Sequence, residues 1–240
     1  MSSPREGPVV TLDGPAGSGK STTAREVARR LDFQHLDSGA LYRALTVGLL
    51  EAGVPEESWP GLSVEELKAL DVRVAPRGPE LEVFLKGRRL GAELRTSRVT
   101  SLVSPLARIP AVREALLGLQ RQAGERGRLV ADGRDMGTVV FPDAEVKVFL
   151  VADVRERARR RLLEQSGREP SPRDLAREVV RITERDERDA GRALSPLRRP
   201  DDAVDLDTTD LTFEAQVGAV VALVRARMGS TGAAGSAGSR

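Results

Sequence analysis

The sequence predicts an α/β fold in which a parallel sheet carries helices on both faces, because short apolar stretches alternate with longer helical ones. Five apolar stretches have the length of strands: Val9–Asp13, Phe33–Leu36, Arg128–Asp132, Val146–Val151 and Ala203–Asp207. Six other stretches are predicted helices: Ser21–Leu31, Leu41–Ala52, Ala111–Glu125, Val154–Gln165, Pro172–Arg192 and Phe213–Met228. We expect the 240 residues to form one three-layer domain with insertions, built on a five-stranded parallel sheet.

The first strand leads into a glycine-rich loop that fits the pattern G-x-x-x-x-G-K-[ST] and opens the first helix. The loop and helix start comprise Gly14, Pro15, Ala16, Gly17, Ser18, Gly19, Lys20, Ser21 and Thr22. Glycines let several backbone N–H groups turn towards phosphate oxygens, and the helix adds its positive N-terminal end. Lys20 can then reach the β- and γ-phosphates, while the Ser21 hydroxyl can ligate Mg²⁺. The strand–loop–helix setting favours a P-loop NTPase fold over an ordinary glycine turn.

Polar residues follow the second strand in the segment 36–43. Ser38 offers a hydroxyl, Gly39 a turn and Arg43 a guanidinium, at the carboxyl end of a strand where parallel sheets bind ligands. An equally good alternative is that Asp37 or Ser38 caps a helix and that Arg43 is solvated. The spacing alone leaves both interpretations open.

One stretch breaks the alternation of strands and helices. Ser63 and Glu66 have the spacing of a capping box, and the short β-stretches 71–74 and 80–85 flank a turn at 77–79. We expect a small β-rich insert over about 63–98, between core segments at about 8–62 and 99–153.

Two acids and an arginine follow the third predicted strand, around a glycine turn. Asp132, Arg134 and Asp135 again stand at the carboxyl end of a strand. A carboxylate there can orient Mg²⁺ through water, and Arg134 can hold a phosphate. The alternative is an Asp-rich turn without a function, but three polar groups at one strand end favour a site.

Arginines dominate two consecutive helices. Four of them recur at spacings of 4, 3 and 4 on one helix face: Arg181, Arg185, Arg188 and Arg192. Five more lie on the preceding helix: Arg155, Arg157, Arg159, Arg160 and Arg161. Together with the loop 166–171 they predict a helical lid over about 154–192 that closes on phosphates. Without the phosphate loop, a solvated helix with pairs such as Glu184 to Arg188 would be the better interpretation.

Composition disfavours or excludes several classes of function and location. Positive and negative residues nearly cancel, 38 against 36, and aromatics make up 3%, which disfavours nucleic-acid binding. The lack of cysteine excludes disulfides and thiolate metal sites. No apolar run of membrane-spanning or signal-peptide type occurs, so we expect a cytoplasmic protein without a membrane partner. Lysine accounts for only four of the 38 positive residues, which fits either the base composition or thermophily of the host or a need for guanidinium forks.

Two further expectations concern parts of the chain that carry no motif. His35, near the end of the second strand, is expected to be structural rather than a catalytic base. The last core segment is expected over about 193–228, and the Gly-, Ser- and Ala-rich tail 229–240 is expected to be disordered.

Four segments resemble the bacterial cytidylate kinases, a branch of the nucleoside monophosphate kinases. They are 11–20, 36–43, 130–144 and 184–189, and the resemblance extends from about residue 8 to 228. The first segment is shared by many NTPases, whereas the second and third are far more specific. The chain departs from the family pattern at Ala190-Gly191 and in the arginine richness of its lid.

The resemblance implies roles for individual residues. Those implied for the acceptor-phosphate clamp are Ser38, Arg43 and Arg134. Those implied for reading cytosine are Ser104, Arg113, Asp135 and Arg192, and those for the ribose are Arg185 and Asp189. Those implied for catalysis on the transferred phosphoryl group are Lys20, Arg134, Arg160 and Arg185.

The resemblance implies a monomeric cytoplasmic kinase that uses Mg²⁺ and transfers the γ-phosphoryl group of ATP to CMP or dCMP. A related kinase acting on UMP, AMP or shikimate is the nearest alternative, and the segment 131–144 argues against it. A GTPase-like switch would need Asn-Lys-x-Asp, but the chain has no asparagine. An RNA-binding protein is disfavoured by the near-zero net charge and scarce aromatics.

Overall fold

A computed structural model describes residues 5–235 of the chain. The strands are β1 (Val9–Asp13), β2 (Gln34–Asp37), β3 (Val72–Arg77), β4 (Glu80–Leu85), β5 (Arg88–Arg89), β6 (Leu129–Gly133), β7 (Val146–Val151) and β8 (Val204–Asp207). They form one sheet in the order β3-β4-β2-β6-β1-β7-β8, with β5 paired to β4. The five strands predicted from the sequence are β2, β6, β1, β7 and β8, which are parallel neighbours. The predicted parallel sheet is therefore confirmed, with each strand within one residue of its expected position.

Helices cover both faces of this sheet, which confirms the predicted α/β class. They are α1 (Lys20–Leu31), α2 (Ser38–Glu51), α3 (Val64–Lys68), α4 (Ser97–Leu106), α5 (Pro110–Ala123), α6 (Val154–Ser166), α7 (Pro172–Ala190) and α8 (Phe213–Gly235). Successive residues of a strand point to opposite faces. Accordingly, Val9 packs in the core with α2, α4 and α5, whereas Val10 packs with α1 and α8.

The β-rich stretch between α3 and α4 extends the main sheet instead of standing apart from it. The antiparallel hairpin of β3 and β4 turns at Gly78, whose φ is 59°. Strand β4 then joins β2 in parallel at a single register position, His35 opposite Glu80. The sheet of the described residues thus has eight strands instead of five, because the insert adds three at its β2 edge.

The largest difference from the sequence prediction is α4, which was not predicted. Its sequence is rich in Ser, Val and Thr and contains Pro105, all of which are weak helix signals. The helix forms because Thr96 caps it by accepting from the Val99 N–H, 3.3 Å away, and because its apolar face enters the core. That helix positions Ser104.

Among the helix ends that differ from prediction, three bear on the site or on the tail. Helix α2 begins at Ser38, three residues early, because Asp37 accepts from the Ala40 N–H at 3.0 Å and caps it. Helix α7 ends at Ala190 before Gly191, so Arg192 lies beyond the helix. Helix α8 continues to Gly235, which corrects the predicted disorder for 229–235, because extending an existing helix is easier than nucleating a new one. Residues 236–240 lie outside the described residues. Within residues 5–235, no helix is long and apolar enough to cross a membrane.

Candidate active site

The phosphate loop connects β1 to α1 in a conformation that requires glycine. Gly14 has φ 150°, and a Cβ there would lie 2.2 Å from the carbonyl oxygen of Leu150 on β7. Gly19, which precedes the first residue of α1, has φ 83°, in the left-handed region. The loop therefore curls tightly at the carboxyl end of β1, and the N-terminus of α1 opens onto the cleft beside it.

Lys20 is folded back onto this loop. Its Nζ donates to the carbonyl oxygen of Pro15 at 2.6 Å and to Ser18 Oγ at 3.2 Å. Burial and then the charge of Arg134 lower the pKa of Lys20 well below its ordinary value, although Asp132 acts against this. A bound anion would relieve both effects, so the ammonium group is poised to meet a phosphate.

Asp132, at the end of β6, joins the phosphate loop to the sheet. Its Oδ2 accepts from the Ser21 hydroxyl at 2.5 Å, and its Oδ1 lies 2.9 Å from Nε2 of His35. Burial alone would raise the pKa of Asp132, but hydrogen bonds from His35 and Ser21 and the charge of Lys20 lower it overall. The carboxylate is therefore ionised and can accept the hydrogen bond from the Ser21 hydroxyl.

The donors around Ser21 fit a magnesium ion. Ser21, Asp37 and Asp132 line the same cleft, and all three carry the hard oxygen atoms that Mg²⁺ prefers. Because the Ser21 O–H group donates to Asp132, lone pairs of the Ser21 oxygen remain available to a cation. The predicted role of Ser21 as a magnesium ligand agrees with this chemistry and stays a prediction.

A cleft of about 720 Å³ runs from the phosphate loop to α4, α5 and α7. Most of the residues predicted for the site line it: Ala16, Gly17, Gly19, Lys20, Ser21, Thr22, Ser38, Arg43, Ser104, Arg113, Arg134, Asp135, Arg160, Arg185, Asp189 and Arg192. Gly14, Pro15 and Ser18 do not line it. They belong to the inner turn of the loop, where Pro15 and Ser18 accept hydrogen bonds from Lys20. Residues far apart in sequence thus meet in one space.

Positive charge collects in the middle of the cleft. Arg43 donates to Thr100 Oγ1 at 3.1 Å, and Ser38 begins α2 nearby. Burial, followed by the charge of Arg134, lowers the pKa of Arg185 to about 9, and its Nε has no partner among the described residues. These groups repel one another until an anion arrives, so this part of the cleft is suited to a phosphate.

Asp189 organises the far end of the cleft. Its Oδ1 accepts from Ser104 Oγ at 3.0 Å and from Arg192, and its Oδ2 accepts from Arg134 Nε at 3.0 Å. Burial opposes ionisation of this carboxyl, but the charges of Arg134 and Arg192 lower its pKa overall. One carboxylate therefore fixes residues predicted for both the phosphate clamp and the base site.

A second ion pair lies beside it. Arg113 donates to Asp135, and its guanidinium carbon stands 5.6 Å from the centroid of the Tyr42 ring. Tyr42 lines the cleft and was not singled out from the sequence, although it lies within the segment 36–43. A planar ring and a donor–acceptor pair at one place suit a heterocyclic base.

Two neighbouring arginines of the predicted lid, Arg160 and Arg161, make different contacts. Arg160 lines the cleft but donates to the carbonyl oxygens of Thr208 and Thr209, at 2.5 and 3.1 Å. Its neighbour Arg161 also lines the cleft, and its charge is among those that lower the pKa values of Arg43 and Arg185. Arg161 also pairs with Glu178 on α7 at 3.0 Å. The run of arginines in the sequence could not show that Arg160 is bound to the loop after β8 whereas Arg161 acts on the cationic centre.

The two lid helices are attached to the phosphate loop at their base. The Ala16 N–H donates to Asp186 on α7 at 2.8 Å, and Arg157 on α6 donates to the Ala16 carbonyl at 2.8 Å and to the same Asp186. Ala16 also packs with Ala158 and Ile182 in a small apolar cluster. These contacts bring α6 and α7 over the cleft.

Comparison with known proteins identifies relatives of this chain. A family model described as cytidylate kinase matches residues 10–226. A cytidylate kinase of Exiguobacterium sibiricum is 47% identical over 85% of this chain and 91% of its own length. One of Salinibacter ruber is 46% identical over 92% of this chain and 98% of its own length. A solved shikimate kinase from Bacteroides thetaiotaomicron is 14% identical, with a TM-score of 0.46 over 90% of this chain and 98% of that one.

Proposed function

The chain belongs to the cytidylate kinase family, and from this premise we propose that it transfers the γ-phosphoryl group of ATP to CMP or dCMP. An oxygen of the acceptor monophosphate forms a bond to the γ-phosphorus, and the bond from that phosphorus to the β–γ bridging oxygen breaks. The products are ADP and CDP or dCDP. The acceptor oxygen is already anionic at neutral pH, so no strong base is needed.

One observation carries this proposal: a single cleft holds a phosphate loop at one end and a second anion site in its middle. The first contains Lys20 and Ser21, and the second contains Arg43, Arg134 and Arg185. A protein that only hydrolysed or sensed a nucleotide would have no use for a second cationic site of this kind. Two anions held in line are what phosphoryl transfer requires.

The residues of the cleft then stabilise the transfer by position and charge. Lys20 leaves the Pro15 carbonyl for the β- and γ-phosphates, and Arg134, Arg161 and Arg185 surround the phosphoryl group as it moves. Bound Mg²⁺, held through Ser21, supplies charge neutralisation for the triphosphate. Arg160 contributes from the edge, where the loop after β8 holds it.

The base site explains a preference for cytosine. Cytosine presents an amino donor beside two acceptors, and Asp135 can accept from the amino group while Arg113 and Arg192 donate to the acceptors. Ser104 and Asp189 complete this end, where Ser104 donates to Asp189. Arg185 and Asp189 stay the predicted contacts to the ribose. Uracil presents a carbonyl where cytosine has the amino group, which would face the Asp135 carboxylate unfavourably.

The test is an ADP-release assay with Mg-ATP and a panel of acceptors: CMP, dCMP, UMP, AMP, GMP, dTMP and shikimate. Turnover dominated by CMP and dCMP is expected. Absence of turnover with CMP and dCMP, while ATP still binds, would refute the proposed transfer and leave a nucleotide-binding module. A steep salt dependence of binding to random RNA would instead favour the RNA-binding alternative. The cytoplasmic location, the monomeric state and the division into core, insert and lid stay predictions.

A further inference from the structure

The single histidine of the chain, His35, has no role in the transfer described above. It lies on β2, is completely buried, and does not line the cleft. A buried strand position would ordinarily hold an apolar residue, because a buried charge costs several kcal/mol unless it is paired. Its presence there needs an explanation beyond packing.

Both ring nitrogens of His35 face carboxylates. Nδ1 lies 2.8 Å from Glu80 on β4, and Nε2 lies 2.9 Å from Asp132 on β6. A neutral imidazole has one N–H and can satisfy only one of these acceptors, so the ring is an imidazolium that donates to both.

The contacts continue from His35 to the predicted magnesium ligand. Asp132 uses Oδ1 for His35 and Oδ2 for the Ser21 hydroxyl, so the imidazolium determines which oxygen is left for Ser21. At the other end, Glu80 also accepts from Arg25 on α1 at 3.1 Å. Glu80 stands at the only register position at which β2 and β4 pair, where the insert meets the core sheet.

We propose that His35 is a positioning residue. It orients Asp132 so that this carboxylate accepts the hydrogen bond from the Ser21 hydroxyl, which leaves lone pairs of the Ser21 oxygen free for Mg²⁺. Through Glu80, His35 also connects this arrangement to the insert. This inference rests on the proposed function only in assuming that Mg²⁺ accompanies the nucleotide. A serine hydroxyl offers its lone pairs to a cation most effectively when its proton has a fixed acceptor. Groups that orient metal ligands in this way typically change metal affinity or activity by about 10–100-fold when they are removed.

Two polar variants of equal charge separate this role from a structural one. In His35→Gln the side-chain amide nitrogen lies near the original Nε2 position and still donates to Asp132. In His35→Asn it lies near the original Nδ1 position, faces Glu80, and cannot reach Asp132. Both variants lose the positive charge, and they differ in which carboxylate keeps its hydrogen bond: Asp132 in His35→Gln and Glu80 in His35→Asn.

The measurement is calorimetric binding of an ATP analogue that cannot transfer its γ-phosphoryl group, with and without Mg²⁺, on the full chain. The ratio of the two dissociation constants gives the magnesium enhancement, and CMP binding and the melting temperature are recorded as controls. We expect His35→Asn to lower the enhancement by about 10-fold, with CMP binding unchanged, and His35→Gln to keep it near the wild-type value.

Equal enhancement in both variants, whether retained or lost, would overturn the proposal. If the asparagine variant does not fold, the glutamine variant still decides, because a loss of enhancement there would contradict positioning through Asp132. The wild-type acceptor panel is independent of this result. A wild type that binds Mg-ATP but phosphorylates no acceptor would refute the proposed function while leaving the comparison of the two variants intact.

Discussion

Replacing Asp189 by alanine tests how far the acceptor end of the cleft depends on one carboxylate. Ser104, Arg134 and Arg192 all donate to it, and only 2% of the Asp189 side chain and 6% of the Arg192 side chain are exposed. Removing one partner of a buried ion pair costs about 3–5 kcal/mol. Since 18% of the Arg134 side chain reaches solvent, water can partly replace the lost acceptor, and we expect the lower limit, about 3 kcal/mol.

At about 2–4 °C per kcal/mol for a domain of this size, that loss lowers the Tm by roughly 6–12 °C. The assay is thermal unfolding without nucleotide, followed by circular dichroism. The matched control is Glu169→Ala. The Glu169 side chain is 66% exposed and accepts from Arg159 at 2.7 Å, so its loss should change stability by less than about 1 kcal/mol. A Tm for Asp189→Ala as close to wild type as that of the control would refute the reasoning, because the three donors would then not need the carboxylate.

Four further predictions concern other residues of the site. Lys20→Ala should lower turnover by at least about 10²-fold with an unchanged circular dichroism spectrum; wild-type turnover in the folded variant would contradict its role. Asp135→Ala should reduce kcat/KM for CMP more than for UMP, and an equal loss for both would exclude Asp135 as the reader of the amino group. Arg161→Ala should lower kcat more than Arg160→Ala. The reverse order would favour Arg160 as the residue that acts on the transferred phosphoryl group. The pKa of His35 is about 9 in the folded protein and about 6.5 in the unfolded chain. Protonated His35 therefore stabilises the fold fully below about pH 6.5, and this stabilisation is lost as the pH rises through 9. Urea unfolding from pH 6.5 to 9.5 should show this loss, at most about 3 kcal/mol, in the wild type but not in His35→Leu.

The parallel core was predictable because buried parallel strands appear in sequence as apolar runs bounded by turns. Strands β1 and β7 have the predicted limits. Helix α4 was not predictable, since its stability comes from burial of Val99, Leu102 and Leu106 against other elements and not from local propensity. The joining of the insert to the main sheet was equally hidden, because it depends on one pairing between β2 and β4.

The candidate site also has features that the sequence predicts and features that it does not. Sequence patterns named the phosphate loop and the polar ends of β2 and β6, because each is a local motif. They could not reveal that Asp132 joins Ser21 to His35, since these residues are separated by 111 and 97 positions in the chain. His35 was expected to be structural, and the geometry gives it two ionic contacts that no spacing rule would indicate. Contacts between distant segments are fixed by the topology of the sheet.

The excess of arginine has two separate explanations, and the direction of the pKa shifts distinguishes them. Arg29 and Arg159 lie on exposed helix faces, where hydrogen bonds that they donate to neighbouring glutamates raise their pKa values. Such pairs fit the base composition or thermophily of the host and need no ligand. Arg43, Arg185 and Arg192 are instead lowered, first by burial, and neighbouring cations act in the same direction on each. Buried cations that repel one another need an anion to compensate them. Asp189 supplies that anion for Arg192, whereas Arg43 and Arg185 fit a site for an anionic ligand, which composition alone would not explain.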